Sequence, residues 1–287
     1  MPFRQVTIIG TGLIGGSIGL ALKKRHLAAR IVGSDRPPVL ERAQECGAID
    51  AGISNPADAV QGSDLVVLAT PVLPIIDLIE RLGPALPVKT LVTDVGSTKA
   101  EIVQHAAKSF GRTAGQRFLA GHPMAGKEHA GVEFADADLF VGAAWLFTPL
   151  PRQNVYAGLC GEFIHCAEKM GAKVAVVEPA DHDRFCAWIS HVPQMISTAL
   201  AATLVDEFGP DAPVLDIGGR ALREMTRISG SPYSMWRDVA ITNKKNISDA
   251  LQKLEQRLAH IRENLDSREL AAEFERAHQL KKQPRKR

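Results

Sequence analysis

The sequence predicts an α/β fold: a doubly wound, mostly parallel sheet followed by an all-α C-terminal half. Three observations carry this. Short apolar, β-branched runs alternate with helix-period stretches through the first 178 residues. A glycine-rich turn separates the first strand from the first helix. Beyond Glu178-Pro179 strand-like runs stop and apolar residues recur every three to four positions.

Residues 5–9, Gln-Val-Thr-Ile-Ile, form the first strand. Gly10-Thr11-Gly12-Leu13-Ile14-Gly15 follows at once, then a helix through Ile18 and Leu22, and a second strand ending at Asp35, 20 residues beyond Gly15. This is the dinucleotide fingerprint in strand–turn–helix–strand context, the signature of a Rossmann-type domain. Gly10 makes the tight turn, Gly12 lets backbone approach a pyrophosphate, and Gly15 lets the helix pack on the strand. Leu13 and Ile14 open the helix, whose free N–H groups and positive dipole end favour phosphate. Asp35 can accept from ribose hydroxyls, which favours NAD; Arg36 could reach a 2′-phosphate, which keeps NADP open.

A helix over 37–45 starts on proline. Residues 64–69 and 89–94 read as strands buried on both faces. Thr70-Pro71 ends the former, beside the cofactor, and a helix spans 75–82. Thr98 is positioned to cap a helix beginning near Lys99, with Glu101 in its acidic first turn. Strands are expected at 117–120, 143–148 and 173–177, with a helix over 153–170 between the last two. Domain 1 thus covers residues 1–178 and binds dinucleotide; domain 2 covers 179–287. In domain 2, Ile247, Leu251, Leu254, Leu258, Ile261 and Leu265 form a heptad seam, which implies a homodimer through the C-terminal helices.

Composition narrows the function classes. The chain has 287 residues, 45% hydrophobic and 23% charged, with net charge +2, too little to imply nucleic acid. The basic tail, from Lys281 to Arg287, reads as a solvated terminus. Cys46, Cys160, Cys166 and Cys186 lack metal-ligand or CxxC spacing and read as small hydrophobes in a reducing compartment. No apolar run approaches membrane-spanning length and no leader precedes the first strand, so a cytoplasmic enzyme is expected, with no metal and no membrane partner.

Ligands of open α/β sheets bind beyond the carboxyl ends of the strands. Two loops there carry chemistry: Asp94-Val95-Gly96-Ser97-Thr98-Lys99 and Gly121-His122-Pro123-Met124-Ala125-Gly126. His122, in a turn at the sheet edge, suits proton transfer. In the helical half, Ser190-His191-Val192-Pro193-Gln194 puts polar groups in an apolar helix, either as a satisfied buried pair with a Pro kink or as a site wall. Thr226-Arg227-Ile228-Ser229, before a glycine-proline turn, could clamp a carboxylate, and Met235-Trp236-Arg237-Asp238 follows.

This ordered set resembles the prephenate/arogenate (cyclohexadienyl) dehydrogenases of tyrosine biosynthesis, over nearly the whole chain. The resemblance implies oxidative decarboxylation with hydride transfer to NAD(P)+ and a helical dimerisation domain. It makes His122 the catalytic histidine and has Ser97 orient it, near the nicotinamide. It gives Arg227 the ring carboxylate, sets Ser190 and His191 on the pocket wall and Glu128 near the entrance, and has Trp236 shape the site. Many prephenate-using members carry a second histidine where this chain has Gln194. Glutamine cannot become cationic, and its carbonyl would tolerate the ammonium of arogenate, so the choice of substrate stays open. Arg220 would restore a positive charge there if it pointed inward. A β-hydroxyacid dehydrogenase or imine reductase would put a catalytic Lys or Asp in the helical half. A non-catalytic NAD-binding regulator would need no His122, Ser97 and Arg227 together.

Overall fold

In the computed structural model, residues 2–127 and 129–282 are described, with the side chains of 214, 215, 281 and 282 excepted. β1 (Phe3–Ile9), α1 (Leu13–Lys24), β2 (Ala28–Ser34), α2 (Pro37–Glu45), β3 (Ala51–Gly52), α3 (Pro56–Ala59), β4 (Leu65–Leu68), α4 (Val72–Leu82), β5 (Leu91–Asp94), α5 (Ala100–Phe110), α6 (Ala114–Arg117) and β6 (Phe118–Pro123) alternate along the chain. β7 (Ala144–Thr148), α7 (Gly158–Lys169) and β8 (Lys173–Val176) complete one sheet of order 3-2-1-4-5-6-7-8. β1 to β6 are mutually parallel; β7 runs antiparallel to β6 and parallel to β8.

The side-chain period of two assigns each strand residue to a face. Leu65 and Val67 of β4 join Ile8, Ile18, Trp145 and Phe163 in one core. Val66 and Leu68 join Val72, Ile75, Ile102 and Phe118 in the other. Both faces are therefore covered, which is why these strands read as unbroken apolar runs. Ile9 lies opposite Leu68, and Leu68 opposite Asp94, so β1, β4 and β5 end level with one another.

Three expectations are corrected. β6 continues to Pro123 because β7 pairs with it, His122 opposite Leu146; His122 is a strand residue inside the sheet, not a turn residue at its edge. The helix expected from 153 begins at Gly158. The Gln153 side chain instead braces the preceding turn, accepting from the Leu150 backbone at 2.9 Å and donating to the Phe118 carbonyl at 2.8 Å. Thr98 does not cap α5: its hydroxyl meets that of Thr242 at 2.7 Å. The Asp183 carboxylate, from the helical half, accepts from the Lys99 and Ala100 backbone N–H groups at 2.7 and 2.9 Å.

Beyond Val176 every described element is helical: α8 (Pro179–Cys186), a π turn (Ala187–His191), α9 (Val192–Phe208), α10 (Pro213–Asp216), α11 (Arg220–Thr226), a 3₁₀ turn (Arg227–Gly230), α12 (Tyr233–Thr242), α13 (Lys244–Glu263) and α14 (Arg268–Lys282). The π turn falls just before Pro193, which has no N–H and crowds the carbonyl four residues back. The core here is small: Ala187, Val239 and Ile247, with Met195, Trp236 and Leu251 against it. The heptad seam is buried at Ile247 and uncovered at Leu258 and Leu265. Among the described residues, no helix is long and apolar enough to cross a membrane. The last five residues of the basic tail lie outside the described residues.

Candidate active site

The glycine loop fits a dinucleotide. Gly10 has φ +93°, and a Cβ there would lie 2.6 Å from the Ala69 carbonyl oxygen. A Cβ at Gly15 would lie 1.9 Å from the Gly10 carbonyl, so only glycine lets α1 approach the loop. Gly12 faces open space and is the N-cap of α1 with no side chain covering the helix end. The first N–H groups, at Leu13 and Ile14, thus remain open to an anion. Beside the loop a hollow of about 470 Å³ is lined by Gly10, Asp35, Arg36, Thr70 and Asp77. Asp35 Oδ2 accepts from the Thr11 backbone at 2.9 Å and Oδ1 from the Arg36 backbone at 2.8 Å, which ties the acid to the glycine loop. Pro71 is the N-cap of α4 next to this hollow.

A larger cleft, about 710 Å³, runs between the sheet ends and the helical half. Leu13, Ile14, Ser97 and His122 line one side; Ser190, Gln194, Arg227 and Trp236 line the other. Arg227 also borders an adjoining hollow with Lys127 and His129. One site therefore gathers Ser97, His122, Ser190, Gln194, Arg227 and Trp236.

Other expected residues fall elsewhere. His191 is fully buried behind the wall, edge-on to Trp236 with ring centroids 6.0 Å apart, and Asn243 Nδ2 lies 3.1 Å from its Nδ1. Consecutive helical residues point about 100° apart, and Ser190 takes the cleft side. Burial pushes His191 down to about 4. Gln194 stays on the cleft wall, with its amide NH₂ engaged by the protein. The NH₂ donates to the Ile228 carbonyl at 2.8 Å, and the Ser231 hydroxyl, 2.9 Å from that same carbonyl, lies 3.3 Å from the Gln194 oxygen. Gln194 thereby braces the turn that carries Arg227. Arg220 is exposed and paired with Glu224 at 2.7 Å, away from the cleft. Glu128 lies outside the described residues.

The β5–α5 loop is held by a buried ion pair. Lys99 Nζ donates to Asp94 and, at 2.8 Å, to the Gly121 carbonyl. Asp94 also accepts from the Gly96 backbone at 2.8 Å. Both side chains are fully buried. Burial pushes the carboxyl up and the ammonium down, and each opposes the other's shift. The pair joins the Ser97 loop to the residue before His122.

His122 itself is 8% exposed. Its Nδ1 lies 2.9 Å from Nε2 of His182, and His182 Nδ1 lies 2.8 Å from Oδ1 of Asp183. Burial, then His182, Lys99 and His191, hold His122 well below the ordinary histidine value. The ring is neutral at neutral pH and can accept a proton. The Cys186 thiol, pushed up to about 12 by burial, stands 3.5 Å from His182 Nε2. His122, His182 and Cys186 bring three ligand-type atoms within 4.8 Å. The two ring nitrogens sit at hydrogen-bond length. His182 and Asp183 escape a sequence reading because they sit in the polar run Asp181-His182-Asp183-Arg184, which looks like a solvated helix face; only the fold carries them to His122 and to the start of α5. Asp238, also buried, accepts from the Leu73 backbone at 3.1 Å.

Residues 18–176 match the family model described as prephenate dehydrogenase, nucleotide-binding domain, and residues 178–279 the one described as prephenate dehydrogenase, dimerization domain. The chain belongs to the prephenate dehydrogenase family. It is 32% identical to prephenate dehydrogenase of Lactococcus lactis over 94% of this chain and 73% of that protein. It is 26% identical to cyclohexadienyl dehydrogenase of Zymomonas mobilis over 84% and 81%. The fold matches prephenate dehydrogenase of Aquifex aeolicus, solved with hydroxyphenyl propionate and NAD+, with TM-score 0.83, 30% identity, and coverage of 97% and 95%. It matches Synechocystis arogenate dehydrogenase with TM-score 0.75, 28% identity, and coverage of 96% and 97%.

Proposed function

We propose that this chain catalyses the oxidative decarboxylation of prephenate and/or arogenate, giving 4-hydroxyphenylpyruvate and/or tyrosine, with NAD+ as hydride acceptor. The observation that carries the reading is the single cleft in which a neutral histidine faces an arginine, with the open end of α1 in the same wall. NAD+, whose pyrophosphate the Leu13 and Ile14 N–H groups would hold and whose ribose Asp35 would take, supplies a two-electron acceptor when bound. Thr70 and Pro71 flank its path.

His122 accepts the proton of the substrate's C4 hydroxyl as hydride leaves C4. The incipient carbonyl is conjugated with the ring, so electrons of the C1–carboxylate bond flow into it. Carbon dioxide departs and the ring becomes aromatic, which makes the step effectively irreversible. Arg227 holds the ring carboxylate so that C4 points to the cofactor side. Ser97, beside His122, helps orient the hydroxyl, while Ser190 and Trp236 shape the far wall.

The helical half pairs with a second copy. Phe185, Trp188, Phe208 and Leu258 are 46%, 44%, 50% and 56% exposed, and the core beneath them is small. A monomer in sedimentation at micromolar concentration would oppose this pairing. The activity is tested by following NADH absorbance with prephenate and with arogenate, each with NAD+ and NADP+. Turnover of at least one substrate is expected; none with either would refute the reading.

A further inference from the structure

His182 and Asp183 have no part in the chemistry above, yet both are buried, at 0% and 2% exposure, directly behind His122. Every group facing the Asp183 carboxylate from α5 is a donor: the Lys99 N–H at 2.7 Å on Oδ1 and the Ala100 N–H at 2.9 Å on Oδ2. The carboxylate is the acceptor of this site, so the contact from His182 Nδ1 at 2.8 Å is a donation by the ring.

A neutral ring with its proton on Nδ1 keeps a lone pair on Nε2. Burial holds His182 below the ordinary histidine value, and Lys99 adds a buried cation that opposes a second positive charge. His182 Nε2 therefore accepts, and its neighbour at 2.9 Å, His122 Nδ1, must carry the proton. The remaining nitrogen of His122, Nε2, is left as a bare lone pair.

We propose that His182 and Asp183 are positioning residues: the chain Asp183–His182–His122 fixes His122 as its Nδ1–H tautomer, so that Nε2 can take the substrate's hydroxyl proton. The same chain serves the protonated state. Once Nε2 has accepted, the imidazolium still donates from Nδ1 to His182, whose own proton rests on an anion. This is the logic by which a buried carboxylate orients a catalytic histidine in hydrolases, here extended through a second imidazole. The charged and titratable groups around the pair are Lys99, Asp94, Asp183, His191 and Cys186. The inference rests on the assignment of His122 as proton acceptor.

Nitrogen-15 NMR of histidine-labelled protein reads the tautomer directly, assigned by the signal lost in His122→Asn. The expected result at neutral pH is His122 with a protonated Nδ1 and an unprotonated Nε2. An Nε2–H tautomer would overturn the proposal. His182→Leu removes the acceptor and should lower kcat at least about tenfold, with KM for substrate and for NAD+ changed less than about threefold. His182→Gln, whose carbonyl can reach the position of Nε2, should restore most of the lost kcat. Unchanged kcat in a folded His182→Leu protein would also overturn it. Normal turnover in His122→Asn would instead refute the base assignment and leave the tautomer result standing.

Discussion

Replacing Lys99 by methionine removes the cation from a pair that water does not reach. Asp94 would keep its backbone donors, Gly96 and Gly121, but lose the ammonium. Removing one partner of a buried ion pair costs about 3–5 kcal/mol. Against a total stability of about 5–15 kcal/mol that is a large share, and Tm should fall by roughly 10 °C. The cost has a sign in pH. Burial already pushes the Asp94 carboxyl up, and Lys99, ahead of the Gly96 and Gly121 backbone donors, opposes this most. Without Lys99 the folded state favours the protonated acid more strongly, so stability is retained below the unfolded carboxyl value and lost as pH rises. The gap between variant and wild type should therefore widen from pH 5 to pH 8. Urea titrations at the two pH values measure it. Asp94→Asn combined with Lys99→Met should recover at least half the loss, since no ionisable group is then stranded. A variant within about 1 kcal/mol of wild type at both pH values would show that the pair is not held as buried charges.

His122→Asn keeps a group at the position of Nδ1 for His182 and deletes Nε2, so the fold should hold while kcat drops about 10²–10⁴-fold and binding of substrate and NAD+ changes little. Because His122 is held well below the ordinary histidine value, the acid limb of wild-type turnover should lie below that value and disappear in the variant. Arg227→Ala should raise KM for the substrate by the equivalent of about 2–4 kcal/mol with NAD+ affinity preserved; an unchanged KM would remove the carboxylate assignment. Asp35, tied to the glycine loop by Thr11, should favour NAD+ over NADP+, and a tenfold or greater NADP+ preference in kcat/KM would overturn that.

The strands and the glycine loop were legible because burial on both faces and a turn that only glycine can make leave plain marks on the sequence. The cleft residues Ser97, on the loop after β5, and His122, near the end of β6, could be found from the strands that carry them, as could Arg227 beside its turn. What escaped is tertiary. Thr98 looked like a cap until Asp183, more than eighty residues on, supplied a carboxylate with two oxygens for two N–H groups. His191 and Ser190 differ by one helical step, and only packing decides which faces the cleft. That the Gln194 NH₂ also braces the Arg227 turn, by donating to the Ile228 carbonyl, could not be read from sequence. His182 was unremarked because its partner lies on a strand sixty residues earlier.

Two helices of the nucleotide-binding half borrow their N-terminal acceptors from the other half: α5 from Asp183 and α4 from Asp238. Neither half is then chemically finished alone. Cutting the chain near residue 178 would bare both helix ends, and the fragment should be less stable than its large sheet suggests. Exchanging helical halves between relatives would succeed only where the incoming half brings both acids in register. A swing of one half away from the other would break both sets of charge-assisted contacts together, so opening the cleft at the joint would bare two helix ends at once.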